Sequence, residues 1–243
     1  MGVPETLAVN AVPLPAIRPR RGTGTRGFLA LLPVLLLATA PPGAAGADWT
    51  FEVFVGIPFG LPAPLTIRQA GQPDIAVRAR YESRPFRKPI YYGWRIGRWD
   101  GTRGWELELV HDKLYLADRP AEVEEFAISH GFNLVTVNRA WERGGLVRRA
   151  GAGIVLAHPE NTVRDKALPG DGGLLGWGYY LAGPTVQAAV EKRFRVRGDL
   201  FLPVEGKATA SFARVPVADG SADVPRAALH GLAGLGVGRL PER

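Results

Sequence analysis

Residues 90–109, IYYGWRIGRWDGTRGWELEL, read as two strands folded about a turn. Tyr92, Trp94 and Ile96 alternate with Tyr91, Gly93, Arg95 and Gly97. Beyond Asp100-Gly101-Thr102-Arg103, Trp105, Leu107 and Leu109 alternate with Glu106 and Glu108. A period of two sends successive side chains to opposite faces of a strand. Each strand therefore has one greasy face and one charged face. A symmetric turn at Asp100–Arg103 sets Arg95 directly opposite Glu108.

The same alternation recurs outward in both directions. Trp49, Phe51, Val53 and Val55 oppose Thr50, Glu52, Phe54 and Gly56; Ile75, Val77, Ala79 and Tyr81 oppose Ala76, Arg78, Arg80 and Glu82. Val186, Ala188, Val190, Phe194 and Val196 oppose Gln187, Ala189, Glu191, Arg193 and Arg195. The pattern predicts ten strands, near 49–57, 63–69, 74–83, 90–99, 104–116, 126–140, 145–157, 177–196, 199–214 and 226–238. Eight is the second count, if 63–69 is loop and another pair merges. Tight turns fall at 70–73, 100–103, 142–144 and 197–199, and longer links at 117–125, 158–176 and 215–225. A three-residue turn at 197–199 sets Glu191 opposite Glu205. Arg197-Gly198-Asp199 also spells a cell-adhesion tripeptide, but its glycine reads as the left-handed position of a hairpin.

The polar faces carry Glu52, Arg68, Arg78, Arg80, Glu82, Arg95, Glu106, Glu108, Arg149, Glu191, Arg193, Glu205 and Lys207. A soluble sandwich would wet these groups, whereas a membrane barrel would turn them inward and its apolar face to lipid. Aromatic-rich apolar faces and the alternation of short and long connections favour the second arrangement. The reading is all-β: a closed antiparallel up-and-down transmembrane β-barrel whose lumen holds a salt-bridged charge network. A small barrel is filled by side chains rather than open.

The chain has 243 residues, 46% hydrophobic, with no cysteine, which excludes disulfides, zinc–thiolate sites and cysteine nucleophiles. Arg18, Arg20, Arg21 and Arg26 precede the apolar run 27–40, GFLALLPVLLLATA, and Ala45-Gly46-Ala47 follows. That is the layout of a Sec-type signal peptide, cleaved after Ala47. Two segments follow: a signal peptide over 1–47 and a barrel domain over 48–243. Of the formal charge of +7, the first 47 residues carry +3 and the rest +4, too mild and scattered for nucleic acid.

On this pattern of strands and turns, the chain resembles the small outer-membrane β-barrel proteins of Gram-negative bacteria. The resemblance covers most of residues 48–240 and rests on pattern rather than on a diagnostic motif. It implies residence in the bacterial outer membrane, contact with its lipid and lipopolysaccharide, handling by the barrel assembly machinery, and a monomer. In such barrels the final strand usually ends in an aromatic residue; this sequence ends GRLPER at 238–243.

For chemistry the sequence offers four histidines, all placed by the topology toward the long-loop end. His111 and His130 pair across the 117–125 link if their strands keep residue numbers summing to about 241. His158 opens the longest loop, and His230 lies at the start of the last strand. Some small outer-membrane barrels are lipid A acyl hydrolases or acyltransferases that use a histidine and a serine near the outer leaflet. His111, Ser129 and His130 are the matching residue types and form the candidate catalytic set. Rim histidines are also ordinary interface residues, and the enzyme question leans toward no. The expectation is a non-enzymatic barrel with any binding role in loops 158–176 and 215–225, with no cofactor and no metal. The alternatives are an outer-leaflet lipid A-modifying enzyme and a soluble periplasmic β-sandwich or lipocalin-like binder.

Overall fold

A computed structural model describes residues 48–239. The expected signal peptide over 1–47 and the terminal residues 240–243 lie outside them. The described residues form thirteen strands: β1 (Asp48–Gly60), β2 (Ala63–Gln69), β3 (Ile75–Ala79), β4 (Tyr81–Glu82), β5 (Tyr92–Asp100), β6 (Arg103–Leu116), β7 (Val123–Arg143), β8 (Leu146–Ala157), β9 (Glu160–Val163), β10 (Lys166–Ala167), β11 (Tyr180–Arg197), β12 (Leu200–Val217) and β13 (Gly220–Gly238).

Eight of them form a ring. β1 pairs with β5, and β5 with β6. The ladder continues through β7, β8, β11, β12 and β13, and β13 pairs back onto β1, every pairing antiparallel. Chain order equals spatial order around the ring, the up-and-down arrangement. The main staves are therefore eight, not ten. The predicted strand at 63–69 is β2, which pairs with the first residues of β13 beyond the reach of β1, and that at 74–83 divides into β3, hairpinned with β2, and β4, which pairs with β6. The link expected at 215–225 is a second correction. β12 and β13 run through it, meeting at a tight turn where Asp219 takes a φ of 59°. Both corrections have one cause. These strands rise above the part of the ring that has an apolar exterior, so strand length did not follow the pattern of one apolar band.

The polarity of the ring inverts along its axis. Near the end that carries the 100–103, 144–145 and 198–199 turns, apolar side chains face out. On β1, Trp49, Phe51, Val53, Val55, Ile57 and Phe59 are all exposed, while Thr50, Glu52 and Phe54 between them are buried. Ten steps of about 3.3 Å, tilted roughly 40°, make a band about 25 Å tall. Trp49, Trp105 and Trp141 ring its lower edge. Arg98, Arg139 and Arg148 stand beside them in register, and the Arg139 guanidinium lies 5.1 Å from the Trp105 ring centre.

Above the band the order reverses. Leu65, Ile67, Ile75, Tyr81, Leu114, Phe126, Ile128, Val163, Val215 and Val224 are buried in one apolar cluster. Charged pairs cover its outside: Arg68 with Asp223, Arg80 with Asp118, Arg84 with Glu82, and Lys166 with Asp219. Arg68, Arg78, Arg80 and Glu82, expected in the lumen, are therefore exposed. Their strands alternate just as the staves do, but water meets the polar face there and a hydrophobic core fills the inside.

The other nine expected lumen charges are inside and at most 5% exposed: Glu52, Arg95, Glu106, Glu108, Arg149, Glu191, Arg193, Glu205 and Lys207. Arg95 sits opposite Glu108 and Glu191 opposite Glu205, as the turns require. Glycines make room for these long side chains. A Cβ on Gly93 would lie 2.1 Å from the Phe54 ring, which is stacked into the lumen beside the charges.

Candidate functional site

Two polar clusters stand apart from ordinary surface. The first is the lumen network. Arg95 donates to Glu52 at 2.7 Å, Glu108 at 2.9 Å, Glu191 at 2.8 Å and Glu205 at 2.8 Å. Arg149 donates to Glu106 at 2.8 Å and pairs with Glu191 and Glu205. Arg193 joins Glu52 to Glu191, and Lys207 pairs with Glu108. Four cations thus face five carboxylates, one acid in excess, in a space with almost no contact with water. A second layer lies toward the apolar head. Arg226 grips Asp112 through two nitrogens at 2.7 and 3.0 Å, and His230 is held between Tyr91 and Thr209, both at 2.9 Å. This His230 is a lumen packing residue rather than a rim group. The network bars the ring at mid-height: its charged groups are spent on one another, and Phe54 and Leu232 flank them.

The second cluster is on the outside, just above the apolar band. Its cause is a bulge in β7. Ile128 pairs with Leu114 and Phe132 with Asp112, so three β7 residues stand opposite Lys113 alone. Toward the other neighbour, Ala127 pairs with Glu160 and Phe132 with Ala157, leaving four residues of β7 against two. Gly131 absorbs the extra length with a φ of 136°, a backbone setting that suits glycine. Ile128 and Phe132 are buried on either side of the bulge. Between them His130 is lifted out, half-buried, with Ser129 buried beside it.

His158 follows buried Ala157 and turns outward, and Glu160 shares the outward face of β9 with Thr162. The three side chains converge. Nδ1 of His130 lies 2.7 Å from Glu160 Oε1, and the Ser129 hydroxyl donates to Glu160 Oε2. The His130 and His158 rings are 5.1 Å apart. The loop at 168–179 closes over one side. Tyr179 packs edge-on against His158 at 4.9 Å and donates its hydroxyl to the His130 carbonyl at 3.1 Å. Gly178, with φ of 73°, passes so close that a Cβ there would sit 2.7 Å from the His158 ring.

The electrostatics follow from these contacts. The hydrogen bond to Glu160 raises the His130 imidazolium above its ordinary range. Burial pushes Glu160 up, but hydrogen bonds from His130 and Ser129 outweigh it and hold the carboxyl below its ordinary range. Burial, with His130 beside it, lowers His158.

The candidate set His111, Ser129 and His130 is thus only partly assembled. Ser129 and His130 adjoin, with Oγ 3.3 Å from Nδ1. His111 pairs instead with Asn133, to which it hydrogen bonds at 2.8 Å, and stacks on Tyr92 at 4.8 Å. Pair numbers sum to 242 on the loop side of the bulge and to 244 beyond it, so His111 meets Asn133 and not His130. A serine–histidine–carboxylate relay also needs serine and carboxylate on opposite imidazole nitrogens. Here both approach Nδ1, and the hydroxyl is turned to Glu160. The sequence marks Glu160 only as one of the carboxylates of the long loop and leaves it out of the candidate set, because its meeting with His130 depends on β9 docking beside the bulge.

No family model and no curated protein matches the sequence. Among solved structures, the fold is similar to outer membrane protein AlkL in lipid bilayers, at 11% identity and TM-score 0.43 over 84% of this chain and 98% of that one. It is also similar to neisserial surface protein A, at 8% and 0.38 over 80% and 98%, and to Ail, the attachment invasion locus protein of Yersinia pestis, at 5% and 0.34 over 78% and 97%. Likeness at this level assigns neither kinship nor activity.

Proposed function

We propose that this protein is a bacterial outer-membrane β-barrel, sealed through its middle, whose working surface is the head above the band and the lateral patch around Glu160. The observation that carries this reading is the inversion of polarity along one continuous ring. Over about 25 Å, apolar groups face out and charges face in, as hydrocarbon demands. Beyond that height, apolar groups face in and charges face out, as water demands. A soluble sandwich or lipocalin-like binder has no reason to change sense part-way along its strands. The short-turn end then faces the periplasm and the head faces outward. Lipid and lipopolysaccharide surround the band. The closed ring leaves its staves without a free edge, in keeping with a monomer.

Fractionation tests this directly. The protein expressed in a Gram-negative host should resist salt and carbonate washes, leave the membrane only with detergent, and migrate differently on gels when heated. Release by salt alone would overturn the assignment.

A lipid-modifying enzyme is the second reading, favoured by one observation: Ser129, His130 and Glu160 meet on the lateral face where an outer-leaflet headgroup would lie. Ester hydrolysis there requires the serine hydroxyl to turn from Glu160 to the imidazole. Mass spectrometry of lipid A, with Ser129→Ala as control, decides it. A profile that is the same with and without the protein removes this reading.

A further inference from the structure

We infer that His130, His158 and Glu160 form a binding site for a single divalent transition-metal ion, of which zinc is the best match, that fastens the 168–179 loop to the barrel wall. One ligand atom from each residue lies within 4.8 Å of the other two. Ligands around zinc, each about 2.0–2.2 Å from the metal, stand roughly 3.3–3.6 Å apart. Rotation about the side-chain bonds of half-exposed residues covers the difference.

The donor set selects the metal. Two imidazoles and one carboxylate suit zinc and its first-row neighbours, while calcium and magnesium take oxygen ligands. Nδ1 of His158 is buried and has no hydrogen-bond partner. In the resting arrangement a proton joins His130 to Glu160, and a cation would take its place. Supporting contacts are already made: the Ser129 hydroxyl orients the carboxylate, and Tyr179 fixes the His158 ring edge-on. Three protein ligands leave a fourth position for water or an incoming oxygen ligand.

The three residues come from three places: the β7 bulge, the β8–β9 link, and β9. Gly178 and Tyr179 lean on two of them. A metal at this point therefore immobilises the loop as well as its own ligands.

The test uses the whole barrel domain, residues 48–243, refolded in detergent micelles and stripped with chelator. Zinc is titrated by calorimetry, and cobalt is added as a spectroscopic stand-in. One zinc per chain is expected, together with the visible absorption bands of cobalt held in a tetrahedral nitrogen–oxygen set. His158→Ala and Glu160→Ala should each weaken zinc at least ~100-fold, while His111→Gln retains wild-type affinity. The conservative His158→Asn and Glu160→Gln serve if either alanine variant loses its heat-dependent gel shift. Zinc should also slow proteolysis within 168–179 in the wild type and not in His158→Ala. No zinc uptake by the folded wild type would overturn the inference, as would unchanged affinity in the His158 and Glu160 variants. Binding in micelles is read independently of where the protein resides, so this result and the fractionation result stand or fall separately.

Discussion

Glu191 and Glu205 stand directly opposite each other across the β11–β12 ladder, two carboxylates where cross-strand pairing ordinarily favours opposite charge. Arg95 and Arg149 each contact both. The like-charge pair is tolerable only because two guanidiniums occupy the space between, so the arginines hold the network together. Removing one cation should hurt more than removing one carboxylate. Arg149→Met should cost roughly 3–5 kcal/mol, the usual penalty for a buried charge that loses its partner. Glu205→Gln should cost less, and the double variant should recover part of the arginine loss. Urea unfolding from micelles measures all three. Equal losses for the two single variants would contradict the assignment of roles.

The same network bars passage. With Arg95 tied to four carboxylates and Phe54 stacked beside it, an ion would have to break buried pairs to cross. Purified wild-type protein in a planar bilayer should give no stepwise conductance. Replacing Arg95 and Arg149 together by alanine should create leak current, since the bulk that fills mid-height is then gone. Steady porin-like steps from the wild type would show the lumen to be open.

Polarity inversion makes a paired forecast on substitution by arginine. Val53 faces out near the middle of the apolar band, and Ala76 faces out on the head. Val53→Arg should cost on the order of 2–4 kcal/mol in lipid, the midplane penalty for a barrel. Ala76→Arg should change stability by no more than about 0.5 kcal/mol, as surface substitutions do. Folding titrations in vesicles distinguish them. If the two cost the same, the band does not meet hydrocarbon.

Much of this architecture was legible in the sequence. The alternation around Arg95 and Glu108 placed both residues correctly because a tight turn fixes register. Medium is what alternation cannot report. Arg78 on β3 and Arg95 on β5 sit in similar patterns, yet one is bathed in water and the other buried. The difference lies in how far each strand rises along the ring, a property of the assembled barrel. The lateral cluster was half legible. Ser129 and His130 stood out as residue types, but a two-residue bulge at Gly131 broke the count that joined His130 to His111. Glu160 entered through β9, a four-residue strand with too short a pattern to predict.

The His130–Glu160 pair, which lies above the band, gives a pH forecast for the metal-free protein. His130 is raised, so its contribution is full below the ordinary histidine value of about 6.5 and lost as pH rises through the higher folded value. Glu160 is lowered, so its contribution is full above the ordinary glutamate value of about 4.3 and lost as pH falls through the lower folded value. His158 is lowered as well, and for a base this has the opposite sense: protonation favours the released loop, so its effect improves as pH rises toward about 6.5. The three together predict that the 168–179 loop is held best near pH 6.5 and loosens on both sides. Hydrogen exchange at the amides of 174–179, in chelator across pH 5 to 8.5 and corrected for intrinsic rates, should show greatest protection there. Glu160→Gln removes the partner that raises His130, so its alkaline loss of protection should vanish while the acid limb from His158 remains. A protection profile that is flat across this range would mean that the ion pair does not hold the loop.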